Sequence, residues 1–361
     1  MSLSFSVARR SAAPQGANRT LAVTCFLHAL HDGYTDLIYV LLPIWQAEFA
    51  LSYSLLALLR GLYAGAMAAL QVPAGRLAER VGGRAMLAGG TILAALGYVF
   101  AGLSGGLVGL CVSLALSGAG SSTQHPVGSA AVTRVFGGSA RGPIGTYNFS
   151  GDLGKAALPA LTALLVTLMP WRHALWLMAA LGLVAAAAVA LMPKIRVTNA
   201  AAASPRIGSA GGRGGFALLC AIGALDTAAR LGFLTFLPFM LQAKGATSPT
   251  IGAAFAAVFI GGALGKFACG WLGERLGVPR AVLLTEGATA ALIFAAMALP
   301  LAPALVLLPA VGIALNGTSS VLYGTVPELA PAGRLENAFA VFYTGVIGAG
   351  ALAPVLYGAV G

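Results

Sequence analysis

Apolar runs of bilayer length succeed one another along this chain, separated by short polar connections. Crossing a bilayer as a helix takes about 20 largely apolar residues, and a window of that size predicts spans near 20–46, 53–74, 85–104, 106–126, 142–168 and 172–193. The pattern then breaks. Residues 194–215 are polar, basic and rich in Gly, Ala and Ser, the composition of a flexible linker. Five more spans are predicted near 216–243, 249–272, 281–299, 303–325 and 336–359. The expected fold class is an all-α polytopic membrane protein. Its expected parts are a tail (1–19), a six-helix bundle (20–193), a linker (194–215) and a C-terminal bundle of five helices (216–361).

The first span differs from the rest because it carries His28, His31, Asp32 and Asp36 on an otherwise apolar helix. At 3.6 residues per turn, His28, Asp32 and Asp36 fall at successive i, i+4 steps on one face, with His31 and Thr35 beside them. Each charge near a bilayer centre costs a few kcal/mol, so such a stripe must face protein or water. It marks a helix lining an aqueous cavity inside a bundle.

Composition sharpens this picture. Hydrophobic residues are 58% of 361 positions and charged residues 9%, with a mean hydropathy of +0.89. A soluble domain could not bury that much apolar surface. The 49 glycines suit close helix packing in lipid. A net charge of +11 would otherwise suggest nucleic acid, yet the basic residues are scattered in the connections rather than gathered in a patch, which excludes that partner. Cys25, Cys111, Cys220 and Cys269 lie inside apolar segments without CxxC spacing, so neither a disulfide framework nor a zinc site is indicated. The glycines of the linker follow no strand and precede no Gly-Lys-Ser/Thr, which excludes a phosphate loop. No cofactor and no resident metal are expected. Residues 1–19 hold Arg9, Arg10 and Arg19 but no apolar run before a cleavage site, so no cleavable signal peptide is predicted.

Charge also orients the chain. Arg9, Arg10, Arg19, Arg76, Arg80, Arg84, Arg134, Arg141, Lys194, Arg196, Arg206, Arg213, Arg275, Arg280 and Arg334 fall on one side of the predicted spans. The other side holds little more than Arg172 and Lys244. Positive residues accumulate in cytoplasmic loops. The N-terminus is expected in the cytoplasm and, with eleven spans, the C-terminus outside. An internal repeat underlies the two bundles: Leu42-Pro43 recurs at Leu237-Pro238, and GRLAERVG from Gly75 recurs as GWLGERLG from Gly270, with 238 − 43 = 195 and 270 − 75 = 195. Gly151 and Gly154 match Gly345 and Gly348 at 345 − 151 = 194. The second copy stops where a sixth span would begin, so a natural set of eleven spans and a truncated twelve both stand.

The stretch Gly75-Arg76-Leu77-Ala78-Glu79-Arg80-Val81-Gly82-Gly83-Arg84 resembles the loop signature between the second and third spans of the major facilitator superfamily, with Glu79 where that family usually has Asp. Its second copy keeps Gly270, Glu274, Arg275, Gly277 and Arg280. The resemblance implies two pseudo-symmetric helical bundles, and a conformational latch at Gly75, Glu79, Arg80, Arg84, Gly270, Glu274 and Arg275. Within the superfamily the chain is similar to the fosmidomycin-resistance group of exporters. The residues that carry this are His28-Ala29-Leu30-His31-Asp32, Leu41-Leu42-Pro43, Phe49 with Leu51-Ser52, His125-Pro126 closing the fourth span, and Gly151-Asp152-Leu153-Gly154-Lys155-Ala156. His31, Asp152 and Lys155 depart from that group, which points to a different substrate.

Carboxylates and imidazoles are the side chains that take up and release protons when held away from water. Asp32, flanked by His28 and His31, and Asp36 are therefore the proton-coupling candidates. Lys155 and Asp152 lie three apart, and Arg230 and Asp226 four apart. Each couple either neutralises itself or offers its cation to an anionic solute. His125, before the helix-opening Pro126, and Asn148 complete the substrate-binding candidates, with weaker claims for Tyr147, Asn316 and Tyr323. Arg60 and Lys266 are expected to snorkel at membrane edges, and His173 beside Trp171 and Arg172 to anchor an interface.

The function expected is secondary transport of a small organic solute, by proton-coupled efflux across a bacterial inner membrane. Its partners would be solute, protons and the lipid bilayer, and the unit a monomer. A proton-coupled importer or a uniporter of a small anionic metabolite is the alternative. More remote is an intramembrane metal-dependent hydrolase with a metal at His28, His31, Asp32 and His125, for which no HExxH or GxGD motif is present.

Overall fold

The computed structural model describes residues 16–192, 213–329 and 335–360. Among them the regular elements are all helices. The first half comprises α1 (Ala17–Phe49), α2 (Tyr53–Val81), α3 (Gly83–Leu103), α4 (Leu107–Ser121), α5 (Ser129–Phe136), α6 (Arg141–Leu168) and α7 (Trp171–Ala188). The second comprises α8 (Arg213–Ala243), α9 (Ser248–Leu276), α10 (Val278–Ala298), α11 (Leu301–Leu329) and α12 (Leu335–Val360). Eight of these are long and apolar enough to cross a membrane.

The boundaries differ from the sequence reading in four places. The fourth span does not stop at Pro126: a π-helical turn, Gln124–Gly128, absorbs the proline and leads into α5. The signature from Gly75 is not a loop but the last two turns of α2, and only Gly82, at φ 90°, breaks the chain before α3. Of the expected linker, 194–212 lies outside the described residues and Arg213 already belongs to α8. The N-terminal tail gives way to α1 at Ala17, and residues 1–15 are likewise outside.

The repeat is visible in the helices themselves. α1 and α8 each contain an internal proline, Pro43 and Pro238, and so do α6 and α12, Pro159 and Pro354, with 354 − 159 = 195. α6 packs along α1 as α12 packs along α8. The halves meet along two seams, α6 with α9 and α2 with α12, which the repeat makes equivalent to each other. α7 covers the far side of the first half, where Tyr34 donates to the Met178 carbonyl at 2.6 Å and Trp176 to the Val99 carbonyl at 3.2 Å. The corresponding face of the second half is an apolar groove of about 320 Å³, lined by residues that include Ala229, Phe233, Ile293 and Met297.

Candidate functional site

Small residues decide how close α1 and α6 come. A Cβ at Gly154 would collide with the Ala29 carbonyl oxygen, and one at Gly151 would stand 2.6 Å from Asp32 Oδ2. The Gly-x-x-Gly spacing therefore lays α6 directly on the polar stripe of α1 and delivers Lys155 and Tyr147 to it.

Asp32 is the centre of the resulting cluster and is buried. Its Oδ2 lies 3.4 Å from Lys155 Nζ and 3.5 Å from His28 Nε2, and its Oδ1 lies 3.7 Å from His125 Nε2. His28 is fixed by Tyr147. Its Nδ1 is 2.7 Å from the Tyr147 carbonyl, and the two rings stack at 4.1 Å. A carbonyl only accepts, so Nδ1 carries a proton and Nε2 is the atom turned to the carboxylate. Imidazole lone pair and carboxylate repel, so a proton belongs between them. Lys155 competes for the same oxygen. His125 comes from the π-helical turn, edge-on to His28 at 5.1 Å. Ligand-type atoms of His28, Asp32 and His125 lie within 4.8 Å of one another, a grouping that suits a cation.

His31 does not join this cluster, contrary to its neighbourhood in sequence. Its Nε2 is 3.0 Å from Thr91 Oγ1, whose own proton goes to the Leu87 carbonyl at 2.8 Å. Nε2 is therefore the protonated nitrogen. Nδ1 then accepts from Ser121 Oγ at 2.8 Å, and Ser121 from the Tyr63 hydroxyl at 2.7 Å. Both nitrogens are committed to a chain of hydroxyls between α1, α2, α3 and α4.

The expected local pairings are also replaced. Asp152 and Lys155 do not neutralise each other. Lys155 goes to Asp32, while Asp152 accepts from Lys266 Nζ of α9 at 2.6 and 2.8 Å. Lys266 thus spends its charge on Asp152 of the other half. Asp226 and Arg230 form no ion pair: Arg230 Nη2 donates to Thr227 Oγ1 at 3.3 Å, and Asp226 hydrogen-bonds with Glu286 of α10. Arg60 is not at a membrane edge. It is buried, with Nη2 3.5 Å from Asp36 Oδ1 and its guanidinium 5.0 Å from the Tyr39 ring centre. Apart from Arg230 and Thr227, a long distance in sequence separates these partners, so helical spacing could not reveal them.

Asn148 is exposed and stands apart from the cluster, whereas its neighbour Tyr147 is buried within it. Asn316 donates at 3.2 Å to the Gly312 carbonyl one turn back in α11. Tyr323 meets Phe342 edge-on at 5.3 Å. In the signature, Glu79 and Arg80 are exposed and Arg84 donates to the Met192 carbonyl at 3.2 Å. Gly75 lies in α2, Gly270 and Glu274 in α9, and Arg275 stacks on Trp271 at 5.1 Å. At the opposite end of the bundle, Arg172 Nη2 is 2.7 Å from Glu48 Oε1 and stacks on Trp171. His173 meets Trp176 edge-on at 5.0 Å. A cavity of about 470 Å³ opens there between the end of α1 and the α8–α9 turn.

Sequence reasoning missed Arg60, Lys266 and Tyr39. One signal was available: Arg60 lies two turns inside α2 among apolar neighbours.

A family model described as Major Facilitator Superfamily matches residues 24–354. No curated protein matches the sequence. Among the solved structures that share its fold are two of a bacterial homolog to the human lysosomal transporter Spinster. The inward-facing, occupied form superposes with a TM-score of 0.80 at 18% identity, covering 96% of this chain and 82% of that one. The inward-facing, unoccupied form gives 0.78 at 18% identity, covering 97% and 83%. At that identity the likeness is one of fold.

Proposed function

Since the chain belongs to the major facilitator superfamily, we propose that it is a secondary transporter of a small organic solute, driven by protons through Asp32. The observation that carries this reading is the shared Asp32 Oδ2, which Lys155 and the His28 imidazole both approach, at 3.4 and 3.5 Å. A buried carboxylate must be neutralised by something. Here a proton and an ammonium compete for it, so protonating Asp32 frees Lys155, and deprotonating it recaptures Lys155.

That competition sets the sign of coupling. A solute anion held by Lys155 binds more readily when Asp32 is protonated, so proton and anion load together and travel together. Geometry therefore supports proton-coupled carriage of an anionic solute best. Such a substrate would meet Lys155 first and Arg230 across the seam, while Asp152–Lys266 opens and closes as the halves rock.

A second reading is favoured by the cation-suited grouping of His28, Asp32 and His125. A cationic group on the solute would displace Lys155 and compete with the proton, which gives exchange. That is proton-coupled efflux, as resemblance to the fosmidomycin-resistance exporters implies, and it would operate in a bacterial inner membrane with the N-terminus in the cytoplasm. Both readings make the protein a carrier and not an enzyme.

The test is proton flux in proteoliposomes with an internal pH dye, challenged with pooled anionic, zwitterionic and cationic solutes, wild type beside Asp32→Asn. Acidification on solute entry indicates cotransport; the opposite sign indicates exchange. Coupled flux retained in Asp32→Asn would remove Asp32 from the mechanism.

A further inference from the structure

Arg60 presents the least satisfied polar group in the described interior. It is 8% exposed, yet its Nε and Nη1 have no hydrogen-bond partner, and Nη2 reaches Asp36 only at 3.5 Å. A buried guanidinium with idle donors is unfavourable, because desolvation is not compensated. Two neighbours share the condition. The Tyr39 hydroxyl, on the ring over which Arg60 lies, has no neighbour to bond to but Arg60 itself, and Arg230 Nε has no partner. Arg230 of α8 acts electrostatically on Asp36, on Tyr39 and on Lys155, which places it around the same point from the other half. Asp226, hydrogen-bonded to Glu286, is an electrostatic neighbour of Arg230 but does not satisfy its Nε.

The planar forks of arginine match the oxygens of a carboxylate or phosphonate, which accept several N–H groups at once. An apolar stack adjoins them, buried in this closed arrangement: Tyr39 stacks on Phe255 of α9 at 5.4 Å, and Phe255 on Phe259 at 6.1 Å. We infer that Arg60 of α2, Arg230 of α8 and the Tyr39 hydroxyl of α1 bind the oxyanion group of an amphipathic organic anion, whose apolar body lies on Tyr39, Phe255 and Phe259. The site spans both halves and closes on itself when unfilled, with Asp36 holding Arg60 in the anion's place. This inference rests on reading the chain as a solute carrier, and it names the class of solute.

Binding is measured directly, without transport, by titrating purified protein in detergent with phenylacetate and phenylphosphonate. Acetate serves as the probe without an apolar body and phenethylamine as the cation. One or both aromatic anions are expected to bind and to raise the melting temperature, acetate to bind at least tenfold more weakly, and phenethylamine not to bind at this site. Arg60→Lys keeps the charge but loses the fork, and should weaken the anion at least tenfold. Tyr39→Phe should weaken it severalfold, and Asp36→Asn should strengthen it by removing the competitor. Should Arg60→Lys fail to fold, the Asp36→Asn/Arg60→Gln double variant leaves no unpaired charge and must still lose the anion. Absence of anion binding in the wild type, or equal binding by wild type and Arg60 variants, overturns the inference even where proton-coupled flux of another solute is seen. Anion binding without any proton-coupled flux would overturn the proposed coupling and leave this site standing.

Discussion

Asp152 of α6 and Lys266 of α9 form the one ion pair that bridges the two halves among the described residues, with Nζ 2.6 and 2.8 Å from the two carboxylate oxygens. It lies on the α6–α9 seam, where rocking of one half against the other must part the helices. Lys266 is 42% exposed, so the pair is screened and worth ~1 kcal/mol or less. Such a contact tunes a balance between states rather than holding one shut. Asp152→Asn and Lys266→Met should each shift the accessibility of cysteines placed along the seam by a few fold, and the swap Asp152→Lys/Lys266→Asp should restore it. A double-mutant cycle without coupling would show that the pair does not link the halves.

His28 and His31 stand three residues apart, yet their substitutions should have opposite effects. Replacing His31 by Leu strands the Ser121 and Thr91 hydroxyls and should cost ~1–3 kcal/mol of stability, with the folded fraction still coupling protons. His28→Gln should keep near-wild-type stability and lose proton-coupled flux. Unfolding curves beside pH-dye flux separate the two, and a His31 variant that folds normally but fails to couple would reverse the assignment.

Gly154 sets the distance between α1 and α6. Gly154→Ala forces its methyl into the Ala29 backbone and should destabilise the protein by ~1–3 kcal/mol, as well as disrupting solute-driven flux. Gly145→Ala, on the same helix with no atom within 4 Å of the added methyl, should be neutral or stabilising, since alanine is the better helix former by about 1 kcal/mol. Thermal unfolding of the two variants side by side is the check; equal behaviour would mean that helix propensity, not close approach, governs both.

At the α1–α2 end, the hydrogen bond from Arg172 holds Glu48 below the usual carboxylate range. Partial burial opposes this and the Trp171 indole, which donates at 2.5 Å, reinforces it. A carboxyl whose folded value is lowered stabilises fully above its ordinary value and loses that contribution as pH falls through the lowered one. Wild-type melting temperature should therefore drop more steeply than that of Glu48→Gln as pH is taken down through the acid range. Parallel curves for the two proteins would show that Glu48 contributes nothing through its charge.

Much of the site was legible one residue at a time. The polar stripe on α1 identified Asp32 and His28, and the helix-opening proline identified His125, because intramembrane charge and helix period leave few places for such groups to go. The Gly-Asp-Leu-Gly-Lys stretch pointed at α6. Pairing was not legible. Helical arithmetic joined Asp152 to Lys155 and Asp226 to Arg230, whereas Asp152 and Lys155 each found a partner on another helix, and Asp226 hydrogen-bonds with Glu286 while Arg230 stays only an electrostatic neighbour. His31 looked equivalent to His28 until rotation of α1 set its ring among the hydroxyls of Thr91, Ser121 and Tyr63.

By itself, the sequence determined that the chain is a helical membrane protein built on a 195-residue repeat, because bilayer-length apolar runs, loop charge and recurring motifs are properties of the chain written in one dimension. Only the tertiary structure decided which charges neutralise which, that Arg60 is buried against Asp36 and Tyr39, and that Lys266 reaches Asp152 across the seam. Those partners lie 24 and 114 residues apart, with 60 − 36 = 24 and 266 − 152 = 114. Their contact is set by how closely small residues let whole helices approach and by the rotation each helix takes about its axis, and no local spacing encodes either.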